Sequence, residues 1–237
     1  SVQVGELSDS SPDPLFSGEK IGTNPFPGLR PFTLDDSHLF FGREGQVDEI
    51  LLKLYHNRSV TIMGYSGSGK SSLMHCGLIP VLYGGFMTDS GPHWKIITTR
   101  PGNSPIENLS LAAVDFLVDE GRISAEDKSI HKAIINSVLR SSANGLVELT
   151  RYLQTSKGDN IFFLVDQFEE LFRYKDSGNE DFTNESIAYV NLLLNAVEQR
   201  EVPAYISLNM RSDFIGDCAS FQGLAQMINA SNYLVPQ

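Results

Sequence analysis

The stretch GYSGSGKSS, residues 64–72, constrains the fold most, because it joins a short apolar run to a segment with helical periodicity. It fits the pattern G-x-x-x-x-G-K-[ST] through Gly64, Gly69, Lys70 and Ser71. Glycines let backbone N–H groups turn inward around phosphate oxygens, and the next helix presents its positive end to the same anion. Lys70 is predicted to contact the β- and γ-phosphates and Ser71 to bind Mg²⁺. The predicted nucleotide-binding residues are Gly64, Tyr65, Ser66, Gly67, Ser68, Gly69, Lys70, Ser71 and Ser72.

Strand-like and helix-like segments alternate along the rest of the chain. Apolar runs predict strands at 60–63, 94–100, 161–165, 203–210 and 232–235. Helical patterns begin near Val47 and near Lys70, where Pro80 is expected to help end the helix, and recur at 105–118, 127–154 with a break at Asn144, 184–199 and 218–229. Such alternation predicts an α/β domain whose parallel sheet is covered on both faces. Residues 1–24 are expected to form a poorly ordered linker or arm.

Composition narrows the class of protein. A chain of 237 residues with 41% hydrophobic residues can form one α/β domain with a real core. The net charge of −11 disfavours a broad nucleic-acid surface, and the apolar runs are too short to span a bilayer. Cys76 and Cys218 match no disulfide framework or metal motif, and the five histidines match no ligand pattern. We therefore expect a soluble, cytoplasmic protein without zinc.

The stretch NIFFLVDQFEELF, residues 160–172, supplies candidate acids. Asp166 ends an apolar strand, so it is the expected partner of Mg²⁺ through water, although it could also cap a helix. Gln167 follows at the position where many ATP-hydrolysing enzymes have a glutamate. Either Glu169 or Glu170 is then expected to act on the attacking water, and the other to be a solvated acid. Of the two, we favour Glu170 for the role toward water.

Two arginines follow predicted strands. Arg211 comes at the carboxyl edge of the sheet, where ligands bind in such folds. It could sense the γ-phosphate or stabilise developing charge, or it could simply pair with Asp213. Arg100 invites the same interpretation more weakly, and structural pairing is favoured for it.

Four segments together resemble the STAND class of P-loop NTPases, and more closely its first "novel STAND" subfamily. They are NPFPGLRPFTLDDSHLFFGRE, GYSGSGKSSL, LVDQFEELF and LNMRSDF, and the likeness runs from about Asn24 to the last residue. The resemblance implies an ASCE-type domain over residues 25–237, with sheet order 5-1-4-3-2 and ATP, ADP and Mg²⁺ as ligands. It also implies that Asp166, Glu169 and Glu170 form the acidic motif and that Arg211 is the sensor arginine. Adenine would lie beside Phe41, Gly42 and Arg43.

The resemblance further implies a slow, ATP-dependent switch that oligomerises to activate an attached effector, for example in bacterial antiphage defence. The helical lid, winged-helix region, effector and sensor of that class are expected outside this sequence, and an initial Ser1 suggests a piece of a longer protein. Two alternatives remain open. One is a scaffold that binds nucleotide without hydrolysing it, and the other is an initiator-like AAA+ ATPase acting on DNA.

Overall fold

The computed structural model describes residues 44–85, 93–175 and 180–236. The predicted linker and the predicted adenine contacts Phe41, Gly42 and Arg43 lie outside these ranges. The helices within them are α1 (Glu44–Asn57), α2 (Lys70–Ser72), α3 (Ile79–Tyr83), α4 (Pro105–Asp119), α5 (Lys128–Ser141), α6 (Gly145–Leu153), α7 (Glu170–Lys175), α8 (Glu180–Glu198) and α9 (Leu224–Ser231). The strands are β1 (Ser59–Gly64), β2 (His93–Thr99), β3 (Asp159–Val165), β4 (Ala204–Arg211) and β5 (Asn232–Leu234).

Over the described ranges, the five strands form one parallel sheet of order β2-β3-β4-β1-β5. Read from the other edge this is 5-1-4-3-2, so the predicted fold class and strand order are confirmed. β1 lies between β4 and β5, while β3 lies between β2 and β4. The chain therefore brings the end of β1 next to the end of β4, since Gly64 pairs with Arg211 although they are far apart in sequence.

Alternate residues of each inner strand face opposite sides of the sheet, and both sides are covered. On one face Ile161, Phe163 and Val165 of β3 join a core formed with α4, α6, α8 and α9. On the other face Phe162 and Leu164 pack with α1 and with the helix that follows the glycine-rich loop. Burial on both faces explains why β3 reads as an unbroken apolar run. None of the helices in the described part of the chain is long and apolar enough to cross a bilayer.

The helix after the glycine-rich loop extends beyond Pro80, contrary to expectation. It begins as α2, widens into a π-helical segment at Leu73–Leu78 and ends as α3 at Tyr83. The N–H of Ile79 donates to the carbonyl of Met74, five residues earlier. A proline inside a regular helix lacks its N–H and clashes with the carbonyl four residues before it. The wider turn directly ahead of Pro80 accommodates the ring without ending the helix.

The segment predicted as one helix at 218–229 is divided. Residues Asp217–Ser220 form a 3₁₀ turn, and α9 starts only at Leu224. Gly223 between them has φ of 85°, a conformation that ends one regular segment and starts the next. Apolar spacing alone could not distinguish the two pieces. The break at Asn144, by contrast, separates α5 from α6 as expected.

Candidate functional site

Parallel pairing collects the carboxyl ends of β1, β2, β3 and β4 at one edge of the sheet. Gly64 pairs with Arg211, Thr99 with Val165, and Val165 with Leu208. One residue further along, Asp166 therefore lies between the end of β2 and Asn209 of β4. This register, set by the two flanking strands, assembles polar groups that are remote in sequence.

The glycine-rich loop leaves β1 in a conformation that depends on its glycines. Gly67 and Gly69 have φ of 78° and 85°, in the left-handed region that disfavours residues with a Cβ. A Cβ on Gly64 would lie 2.5 Å from Oγ of Ser68, so a side chain there would displace that hydroxyl. The motif therefore forms the compact loop that its spacing predicted.

Lys70 begins α2 and turns back over this loop. Its Nζ donates to the carbonyl oxygens of Gly64 and Tyr65, each at 2.9 Å. Burial lowers the pKa of Lys70, and the nearby charges of Glu169 and Asp166 oppose that effect. Lys70 is thus a cation held at the mouth of the loop by neutral acceptors, as a lysine that contacts phosphate must be.

A cavity of about 290 Å³ lies between the loop and the acidic motif. It is lined by three cationic, two acidic and several neutral polar residues: Ser66, Gly67, Lys70, Ser71, Asp166, Gln167, Glu169, Arg173, Asn209 and Arg211. Larger clefts of about 600 and 490 Å³ lie beside α8 and along β2. Neither adjoins the glycine-rich loop, so the smaller cavity is the candidate site. Of the predicted loop residues, Gly64, Tyr65, Ser68, Gly69 and Ser72 frame the loop without lining the cavity.

The acidic motif makes a tight turn directly after β3. Gln167 has φ of 54°, unusual for a residue with a Cβ, and the next side chain, Phe168, is fully buried. The N–H of Phe168 donates to the carbonyl of Asn209, which fixes the turn to β4. Around this anchor, Asp166 and Glu169 both line the cavity, and each is only 6% exposed.

The two glutamates of the motif point to different places. Glu169 lies at the cavity, and its Oε2 accepts from the backbone N–H of Arg211 at 3.4 Å. Glu170 does not line the cavity, and its Oε2 accepts from the backbone N–H of Gly102 at 2.8 Å. The structure thus places Glu169 at the cavity, whereas Glu170, the glutamate favoured from the sequence, does not line it.

Arg211 lines the cavity and is also paired. Its guanidinium contacts the carboxylate of Asp213 twice, at 2.6 and 3.1 Å, and lies 5.7 Å from the centre of the Phe214 ring. The hydrogen bonds to Asp213 raise the pKa of Arg211. Arg173 lies 5.6 Å from the same ring. Arg211 therefore makes the considered pair with Asp213 and also lines the cavity.

Two cavity residues, Arg173 and Asn209, were not predicted from the sequence. Asn209 precedes Arg211 by two positions, so the two-residue period of a strand places both on one side of β4. Arg173 follows Glu169 by four residues, and its N–H donates to the carbonyl of Glu169, so helical spacing places it beside the acidic motif. Both signals were available in the sequence.

The polar groups around Asp166 fit a hydrated magnesium ion. Over the described residues no cluster of three or more His, Cys, Asp or Glu could enclose a metal. Mg²⁺ needs no such cluster, because it retains several waters and takes one or two protein ligands plus phosphate oxygens. Oδ1 of Asn209, whose Nδ2 donates to Asp166, is buried and has no hydrogen-bond partner in the described structure. Metal-bound water would supply a donor for this oxygen, with Ser71 and Asp166 as the protein side of the site.

The sheet order and the glycine-rich loop after β1 define the class of P-loop NTPases. The sequence model described as Novel STAND NTPase 1 matches residues 25–237, which is most of the chain. The chain therefore belongs to this family of STAND NTPases. A comparison with curated proteins found no match.

Proposed function

We propose that this domain binds ATP and ADP with Mg²⁺ and hydrolyses ATP slowly, as the switch of a STAND regulator that self-associates to activate an attached effector. In this proposal the attached effector serves bacterial antiphage defence. The observation that carries the proposal is the single cavity that unites Lys70 and Ser71 with Asp166, Glu169 and Arg211. These are the groups that phosphate binding, metal binding and water activation require.

Each group has a distinct task in this proposal. Backbone N–H groups of residues 65–71 and the ammonium of Lys70 bind the phosphates, while Ser71 and Asp166 hold Mg²⁺. Mg²⁺, when bound, neutralises charge on the phosphates. Glu169 orients or deprotonates the attacking water, and Arg211 stabilises charge that develops on the γ-phosphate.

Slow turnover is expected from the position of the catalytic acid. Glu169 follows Asp166 by three residues, across a turn that Gln167 makes with a positive φ. Its carboxylate is already engaged by the N–H of Arg211. A carboxylate held by the backbone in this way must reorient to reach the attacking water, which suits a switch whose states must persist.

A scaffold that binds nucleotide without hydrolysis is the second candidate. It is favoured by Gln167, which stands directly after Asp166, and by the hydrogen bond that directs Glu170 to Gly102 instead of the cavity. The presence of Glu169 at the cavity argues for hydrolysis. The net charge of −11 continues to disfavour a DNA-directed ATPase.

Phosphate release separates these candidates. We expect slow release from Mg-ATP by the 237-residue chain, abolished in Glu169→Gln and retained in Glu170→Gln, with nucleotide binding intact in both variants. Release that is absent from the wild type while binding persists would favour the scaffold. Release that Glu170→Gln abolishes and Glu169→Gln spares would reverse the assignment of the two glutamates.

A further inference from the structure

Asp166 is partnered on both of its carboxylate oxygens by groups from the neighbouring strands. Oδ2 accepts from Nη2 of Arg100 at 3.2 Å, and Oδ1 accepts from Nδ2 of Asn209 at 3.4 Å. The two contacts follow from the sheet register. Arg100 directly follows β2 and Asn209 lies near the end of β4, and these two strands flank β3. The carboxylate expected to serve Mg²⁺ is thus shared with a guanidinium.

The two partners of Asp166 differ in how firmly they are held. Asn209 is 1% exposed within β4, whereas the Arg100 side chain is 60% exposed at the rim of the cleft along β2. A solvated arginine can leave its carboxylate at little cost, since exposed ion pairs contribute at most about 1 kcal/mol. Arg100 is therefore a displaceable partner and Asn209 a fixed one.

The backbone next to Arg100 is fixed from two sides. The carboxylate of Glu170 accepts from the N–H of Gly102, and Nδ2 of Asn108 donates to the carbonyl of Pro101 at 2.8 Å. Gly102 has φ of 56°, and a Cβ there would lie 2.8 Å from the same Asn108 nitrogen. Two hydrogen bonds therefore hold the backbone beside Arg100, whereas the arginine side chain itself is exposed.

We propose that Arg100 competes with Mg²⁺ for Asp166, and that Glu170 positions Arg100 for this competition through Gly102. The inference rests on the proposed nucleotide site, and it gives functions to two residues which that site does not use. One glutamate of the motif then lies at the cavity, and the other holds the loop that carries the competing cation. Arg100 thereby lowers the affinity for Mg²⁺ and raises the Mg²⁺ concentration at which the site is half filled.

The test is a magnesium titration of the full 237-residue chain with a bound fluorescent ADP analogue, starting from EDTA-treated protein. We expect Arg100→Gln to move the midpoint to a Mg²⁺ concentration about three- to fivefold lower, as loss of a solvent-screened ion pair predicts. Arg151→Gln is the matched control, because Arg151 is similarly exposed, at 56%, and pairs with Glu201 away from the cavity. Its midpoint should equal that of the wild type.

Two variants of Glu170 test the positioning role. Glu170→Ala removes the acceptor for the Gly102 N–H and should shift the midpoint in the same direction as Arg100→Gln. Glu170→Gln retains an amide oxygen that accepts the same hydrogen bond and should behave as wild type. Equal midpoints in wild type and Arg100→Gln, with normal ADP-analogue binding, would overturn this inference alone. A wild-type chain that binds no analogue would instead overturn the proposed function as well.

Discussion

Two aspartates at opposite ends of β3 have contrasting surroundings. Asp159, at the first residue of the strand, accepts from the N–H and hydroxyl of both Thr155 and Ser156 at 2.7–3.0 Å. It also pairs with Lys95 at 3.2 Å. Asp166, directly after the strand, has one amide partner at 3.4 Å and one exposed arginine. Both aspartates are buried, at 3% and 6% exposure.

The hydrogen bonds that each carboxylate accepts distinguish a structural aspartate from one that is available to a ligand. Burial of Asp159 favours its neutral form, yet the hydrogen bonds from Thr155 and Ser156 outweigh burial and hold its pKa well below the usual range. Its capacity to accept is used by the protein itself. Asp166 keeps lone pairs for another partner, and Oδ1 of Asn209 beside it has no hydrogen-bond partner in the described structure. The number and length of the hydrogen bonds that each carboxylate accepts therefore distinguish the two ends of β3.

The largest effect is expected at the structural end. Asp159→Asn should lower the free energy of unfolding by about 2 kcal/mol, because it removes a charge that four hydrogen bonds and Lys95 stabilise. Chemical denaturation measures this change, and nucleotide binding below the transition should stay normal. A loss under about 0.5 kcal/mol would show that the hydrogen-bonded turn does not depend on the charge.

The matched substitution at the other end should give the opposite pattern. Asp166→Asn removes a carboxylate with weak partners, so the free energy of unfolding should change by less than about 0.5 kcal/mol. The Mg²⁺ concentration needed for nucleotide binding should rise about tenfold, equivalent to about 1.4 kcal/mol. Unchanged magnesium dependence, read from the same fluorescence titration, would remove Asp166 from the metal site.

The smallest expected effect is in the acid dependence of the free energy of unfolding. Because the pKa of Asp159 is lower in the folded chain than in the unfolded one, its contribution is complete well above pH 4 and is lost as pH falls. An unfolded pKa of about 3.9 predicts a loss of about 1 kcal/mol between pH 4 and pH 3. Asp159→Asn should lack this component of the pH dependence. Parallel stability curves for wild type and variant would contradict it.

The sequence was sufficient for the architecture and for the loop, but not for the arrangement of the acids. The alternation of β3 with helical segments and the GYSGSGKSS spacing each carry a local signal, and both led to the observed elements. Glu169 and Glu170 are adjacent residues of the same type, so no sequence pattern distinguishes them. The turn at Gln167 places Glu169 at the cavity and Glu170 against the N–H of Gly102. The pairing of Arg100 with Asp166 depends on register, which no local pattern encodes.

Two helix boundaries differ from those predicted from the sequence, and local backbone conformation explains both. Pro80 did not end its helix, because the π-helical segment before it relieves the clash. Gly223 has a positive φ directly before α9, and the segment that apolar spacing read as continuous is divided there. In both cases the local backbone conformation determined the outcome.

The cavity beside the glycine-rich loop is expected to bind a magnesium nucleotide. Calorimetric titration of Mg-ADP and Mg-ATP into the 237-residue chain tests it most directly, with Lys70→Ala compared against Lys132→Ala, whose lysine pairs with Glu107 away from the cavity. We predict saturable binding by wild type and Lys132→Ala, and a loss of at least about tenfold in Lys70→Ala, since a charged hydrogen bond to phosphate contributes about 1.5–3 kcal/mol. Absence of binding in the wild type, or equal affinity in all three proteins, would contradict the account.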